Sequence, residues 1–203
     1  TVGGAEAEVF ANTGGRPLGL DFAPDGTLYV ADAYRGLVAV ARDGTVRLLA
    51  EATTDGSPIR YADDVDIAPD GRIYFSDAST RFGAREVGST LTASVLDLIE
   101  HSANGRVLVH DPATGTTRVF ADGLTFANGV AVSPDGTALM VVETGEYRVL
   151  RYNLGAPGAA PEVVLDNLPG FPDNINNAPD GGYWVGLVSP RNPVIDKLAD
   201  KPQ

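Results

Sequence analysis

Apolar and polar residues alternate in short runs along this chain, and the runs are paired about one recurring turn. Pro-Asp-Gly stands at 24–26, 69–71, 134–136 and 179–181. A short alternation precedes each copy: Leu20-Asp21-Phe22, Val65-Asp66-Ile67, Val130-Ala131-Val132 and, more weakly, Ile175 with its continuation. A second β-rich run follows each, over 27–31, 72–76, 138–142 and 182–185. Alternation on both sides of a turn-forming triplet predicts a strand, a tight turn and a returning strand. The prolines are spaced 45, 65 and 45 residues apart, so a unit of about 45 recurs with one insertion. Runs at 36–41 and 45–50, 105–110 and 116–120, and 147–153 and 161–165 supply third and fourth strands. Tandem four-stranded units of ~40–50 residues predict an all-β chain folded as a β-propeller.

The run 6–11 matches the outer strand that closes each later unit, so the chain is expected to open on the last strand of a preceding blade. Blades then run over about 17–53, from 61 onward, and over 127–166; a fourth opens at Asp173 and loses its pattern after Gly186. With fewer than four complete blades, the chain reads as one partial propeller domain over 1–203, a piece of a larger ring. Closure with four blades stays open if the N-terminal strand completes the last. The insertion at 80–104 breaks the repeat. Leu91, Val95, Leu98 and Ile99 have helical spacing there. It leaves the end of a second strand on the side where the first strands begin. It is either a helical lid over the channel or a surface elaboration on a neighbouring blade.

Aligning the copies on their turn brings out candidate chemistry. Six residues before each proline stand Leu18, Asp63, Asn128 and Asp173; five before stand Gly19, Asp64, Gly129 and Asn174. First strands of propeller blades line the central channel, so these positions form a ring at one mouth of it. Hard oxygen donors converging from several directions suit Ca²⁺, although another divalent cation is open. Capping of strand starts by Asx side chains is the competing explanation. Asp32, Asp77 and Glu143 end second strands at the same mouth, as solvated loop carboxylates or as acids supporting the ring. Asp25, Asp70, Asp135 and Asp180 belong to the turns and carry no chemistry.

Bulk properties narrow the partners. A net charge of −12 over 203 residues argues against nucleic acid or an anionic membrane surface. There is no cysteine, which excludes disulfides, thiolate metal sites and a cysteine nucleophile, and leaves the compartment open. No apolar run approaches ~18 residues, so no transmembrane segment is expected in this chain. No signal peptide is visible, and a chain starting at Thr1 leaves a removed leader open.

The strings RPLGLDFAPDGTLYVADAYRGL at 16–37, FANGVAVSPDG at 126–136 and LPGFPDNINNAPDGGYWVG at 168–186 closely resemble the strictosidine synthase-like and adipocyte plasma membrane-associated protein-like family. More loosely, they resemble the gluconolactonase (senescence marker protein) and paraoxonase group. The resemblance implies a six-bladed propeller, and many such proteins are calcium-dependent lactonases or arylesterases. It places metal ligands at Asp63, Asn128, Asp173 and Asn174, with Asp64 facing a second, structural ion. Asp63 departs from the Asn usual there. The Glu that completes the calcium site in the hydrolases, and the Glu used by condensing synthases, come from blades that this chain does not show. The expectation is a Ca²⁺-dependent hydrolase of small lactones or aryl esters. The ion would polarise the carbonyl, and Asp63 or Asp173 would orient or deprotonate water. No G-x-S-x-G elbow occurs. His101, near the end of the insertion, is a candidate base, whereas His110 reads as structural or exposed. A binding or scaffold propeller with a structural ion, and a metal-independent condensing enzyme, are the alternatives. Oligomeric state is left open.

Overall fold

In the computed structural model, which describes residues 8–199, every Pro-Asp-Gly triplet makes the predicted turn. Each turn aspartate accepts the backbone N–H two residues on, from Thr27 (2.8 Å), Arg72 (3.0 Å), Thr137 (3.0 Å) and Gly182 (3.1 Å). Each turn glycine has φ between +69° and +86°, a conformation that costs a residue with a Cβ. The Ser133 hydroxyl, donating at 2.6 Å, and then Thr137 hold the Asp135 carboxyl down at about 2.

The turns join strands that stack in chain order. β1 (Pro17–Phe22), β2 (Leu28–Asp32), β3 (Gly36–Val40) and β4 (Val46–Ala50) form one antiparallel sheet. β5 (Ala62–Ile67) and β6 (Ile73–Asp77) begin the next. The insertion follows, with α1 (Ala84–Val87) and α2 (Thr90–Glu100), before β7 (Gly105–Asp111) and β8 (Thr116–Leu124) complete that sheet. β9 (Ala127–Val132), β10 (Ala138–Glu143), β11 (Arg148–Asn153) and β12 (Glu162–Leu165) make the third. A fourth sheet pairs β13 (Gly170–Asn177) with β14 (Tyr183–Pro190), and α3 (Pro193–Ala199) follows.

Core residues lie between blades. Leu37, Ala62, Ile73, Phe75 and Leu108 fill the space between the first and second sheets; Tyr74, Val107, Val130, Leu139 and Leu150 fill that between the second and third. Burying each of the larger side chains contributes ~1.5–3 kcal/mol. Inner strands of adjacent blades do not share a backbone ladder, and side chains bridge them instead. Asp21 Oδ2 accepts Ile67 N–H at 3.1 Å, Asp66 Oδ2 accepts Val132 N–H at 2.6 Å, and Asn177 Nδ2 donates to Val132 O at 2.9 Å.

Three expectations change. Residues 8–11 form no strand: Val9 and Phe10 are exposed, and Ala11 packs beside Val46 on the first sheet without pairing to it (residues 6 and 7 lie outside the described residues). The pattern lost after Gly186 is a strand that continues to Pro190, followed by a helix. Asp32, Asp77 and Glu143 are buried, not solvated. Asp77 accepts Tyr61 N–H (2.8 Å) and pairs with Arg106 at 2.9 Å; Glu143 accepts Thr125 N–H (2.8 Å) and pairs with Arg148 at 2.7 Å. Each arginine stands directly across the strand pair from its acid. Across from Asp32 stands Gly36, and Asp32 Oδ2 has no partner. No helix among the described residues is long and apolar enough to cross a membrane.

Candidate functional site

All four inner strands carry the same irregularity, and the aligned positions lie on it. Two residues of the inner strand face one of its neighbour: 18–19 against Ala31, 63–64 against Ser76, 128–129 against Val142 and 173–174 against Gly186. A bulge of this kind re-aims side chains that regular alternation would send to opposite faces. Its second residue also explains the Gly/Asx alternation. A Cβ on Gly129 would stand 2.6 Å from Asp173 O and from Ile175 N, and one on Gly19 would stand 2.5 Å from Asp64 Oδ1. Glycine in alternate blades therefore lets the neighbouring bulge approach.

The first bulge residues share a cavity of about 670 Å³ at the channel mouth. Asp63, Asn128 and Asp173 line it, with Asn174, beneath walls from Tyr61, Phe126 and Phe171. Asn128 is buried; its Nδ2 donates to Asp173 Oδ1 at 2.7 Å, and its Oδ1 has no partner. Burial, then the neighbouring Asp173 and Asp64 carboxylates, push the Asp63 carboxyl well above the usual range. Burial and Asp63 likewise raise the Tyr61 phenol, whose hydroxyl donates to Thr90 O of α2 at 3.1 Å.

Asp64 and His101 are not brought to this cavity. Asp64 turns to a separate cavity of about 230 Å³ shared with Asp21, Asp66, Asn176 and Asn177. There its Oδ2 accepts Val130 N–H at 3.0 Å, and burial pushes its carboxyl up to about 6. His101 caps α2 with φ +53° and pairs with Glu146 at 2.9 Å, away from the cavity lining. Its sequence position near the end of the insertion suggested otherwise; the left-handed cap turns the ring toward the β10–β11 loop. His110 is buried, with Nδ1 2.8 Å from Thr117 Oγ1. Sequence reasoning missed Tyr61, Phe126, Phe171 and Thr144 as cavity residues. Thr144 Oγ1 donates to Pro172 O at 2.7 Å and so steadies the approach to Asp173.

The donors suit a hard divalent cation: two carboxylates, a carboxamide, and a buried carboxamide oxygen that nothing satisfies. Among the described residues, no group of three or more His, Cys, Asp or Glu is close enough to hold a metal ion. Asp63 and Asp173 therefore need Asn128 and water to fill a coordination shell of 6–8 oxygens.

Fold and channel mouth define a β-propeller of the six-bladed type, of which this chain carries three full blades and two strands of a fourth. A strictosidine synthase family profile matches residues 63–157. The chain is 37% identical to strictosidine synthase-like protein 13 of Arabidopsis thaliana, across 93% of this chain and 45% of that protein. It is 39% identical to the adipocyte plasma membrane-associated protein of Rattus norvegicus, across 94% and 51%. It thus spans about half the length of these relatives. Among solved structures, a gluconolactonase from Xanthomonas campestris superposes with a TM-score of 0.66 at 23% identity, covering 84% of this chain and 56% of that one. Regucalcin from Agrobacterium tumefaciens, described as a calcium-binding protein, gives 0.61 at 21% over 84% and 53%. Over most of its length the chain is thus similar to the strictosidine synthase-like and adipocyte plasma membrane-associated proteins.

Proposed function

We propose that the channel mouth is the active site of a divalent-cation-dependent hydrolase of lactones or aryl esters. The observation that carries this is the partnerless, buried Asn128 Oδ1 beside two carboxylates that share one cavity. The gluconolactonase and regucalcin neighbours agree with it in kind. Asp63, Asn128 and Asp173 would hold the ion, with Asn174 at the rim. A bound Ca²⁺ supplies Lewis-acid polarisation of the substrate carbonyl and stabilises developing negative charge.

The chain's own groups do the rest. Asn128 Nδ2 fixes Asp173 Oδ1, which leaves Oδ2 as the acceptor available to a water. Burial and the neighbouring carboxylates oppose ionisation of Asp63, and a cation beside it would favour the charged form as an acceptor. Phe126, Phe171 and α2 give the mouth apolar walls, so a substrate seated there would displace water and strengthen each of these interactions.

The test is hydrolysis of p-nitrophenyl acetate and γ-butyrolactone, with and without EGTA. We expect turnover to vanish with chelator and to fall ~10²-fold or more in Asn128→Ala. Undiminished turnover under either condition rules out the metal mechanism. A second reading, a binding propeller with a structural ion, draws on the removal of His101 from the cavity. It predicts Ca²⁺-dependent melting with no turnover.

A further inference from the structure

Helix α2 presents its apolar residues the wrong way round for a helix that merely packs on a blade. A surface helix normally sets its large aliphatic residues against the core. In α2 the buried positions are Ala93 and Asp97, both fully enclosed. Leu98 packs against the core cluster of Tyr61, Ala93 and Phe126 and also lines the cavity, whereas Leu91, 73% exposed, and Val95, 41% exposed, face only the cavity side. Val188 of β14, 66% exposed, lines the same space.

Three of the hydroxyls on these walls donate within the protein, while Thr90 and Ser189 also line the space. Ser94 Oγ donates to Leu91 O at 2.9 Å, Thr144 Oγ1 to Pro172 O, and Tyr61 OH to Thr90 O. The cavity has an acidic, carboxamide-bearing floor and, along α2, a wall made mainly of Leu91, Val95 and Leu98. Its volume, about 670 Å³, falls within the range usual for small-molecule sites.

We propose that Leu91, Val95 and Leu98 of α2 are specificity-determining residues that receive an apolar arm, alkyl or aryl, of the substrate. The substrate class is then a lactone or ester carrying a hydrocarbon chain or ring, since the side chains of Leu91, Val95 and Leu98 offer a sugar hydroxyl no hydrogen-bond partner. The inference rests on the hydrolase reading for the position of the carbonyl, which the arm holds above Asp63, Asn128 and Asp173.

The experiment follows kcat/KM along p-nitrophenyl esters from acetate to octanoate, for the protein and for Leu91→Asn/Val95→Asn. We expect about a threefold to fourfold rise per added methylene, the equivalent of ~0.8 kcal/mol, and a flattened slope in the double variant. Leu96→Asn, on α2 but outside the cavity lining, should keep the slope, and its circular dichroism reports helix integrity. An equal slope in the double variant and the unaltered protein overturns the proposal. So does a flat series in the unaltered protein, which would assign the apolar wall to another protein segment. Calorimetric binding of γ-lactones of increasing chain length separates the two readings. Affinity that climbs with length and falls in the double variant, without any turnover, keeps the apolar-arm site and removes the hydrolase. Turnover without length dependence does the reverse.

Discussion

Asp77 and Arg106 show what a single pair of residues does here. The carboxylate is fully buried, and burial raises it even against the arginine, so neither group would be stable there alone. Arg106 also reaches Ser57 Oγ (2.8 Å) and Pro58 O (2.7 Å), tying the loop before β5 to the second blade. Asp77→Ala should cost ~3–5 kcal/mol in urea unfolding, because it leaves a buried guanidinium unpaired. A cost under ~1 kcal/mol would mean that water reaches the arginine. His110 supplies a pH signature at the same scale. Burial holds its imidazole below 6.5, so the folded protein resists a proton that the unfolded chain takes up. Its contribution is intact above about pH 6.5 and is lost as pH falls through the depressed folded value. His110→Gln should flatten the fall in stability as pH drops below about 6.5. An unchanged pH profile would show that the imidazole titrates freely.

At the scale of elements, the site is a product of the bulge. Aligning repeats located Asp63, Asn128 and Asp173, because position relative to Pro-Asp-Gly is a sequence property. That Asp63 and Asp64 serve different cavities was implied by the family resemblance and not by the repeat alignment, since alternation assigns neighbours to opposite faces only in a regular strand. The buried acids escaped for a similar reason: a strand end looks the same in sequence whether wet or dry. A signal was available in Arg106 and Arg148, which open third strands opposite Asp77 and Glu143. His101 was misplaced because a left-handed cap is not visible in helical spacing. The stretch after β14 carried a readable start signal, Asn192-Pro193. Asn192 Oδ1 accepts Val194 N–H at 2.9 Å, and proline fills the first turn of α3, where its missing N–H is not needed. If the bulge sets the site, Gly129→Ala should damage it from a distance. The added methyl meets backbone on the neighbouring blade, which cannot yield as a flexible side chain would. We expect a loss of ~1–3 kcal/mol in stability, together with weaker Ca²⁺ binding. Normal Ca²⁺ affinity in this variant would separate bulge geometry from the ligand positions.

For the whole molecule, the ring arrangement concentrates negative charge on its own axis. The chain carries −12 overall, and Asp63, Asp64 and Asp66 of one inner strand all titrate above the usual carboxylate range, with burial as the leading cause. Burial thus opposes ionisation along this strand, and a cation at the mouth would favour the charged forms. Lys and Arg side chains do not offset the charge at the floor; Arg16 is the one cationic side chain among the described cavity residues. A cation that binds only the assembled mouth must stabilise the fold by mass action, since the unfolded chain does not bring separate blades together. At 100 times its Kd that amounts to ~2.7 kcal/mol. For a domain near this size, each kcal/mol moves Tm by ~2–4 °C, so the expected rise is on the order of 5–10 °C. Matching ionic strength with NaCl should not reproduce it, because screening acts on exposed charges far more than on buried ones. Asn128→Ala should abolish the rise while leaving any general salt effect intact. Equal Tm values in Ca²⁺ and in EGTA, measured by differential scanning calorimetry at saturating ion, would show that Asp63, Asn128 and Asp173 share a cavity without sharing a ligand.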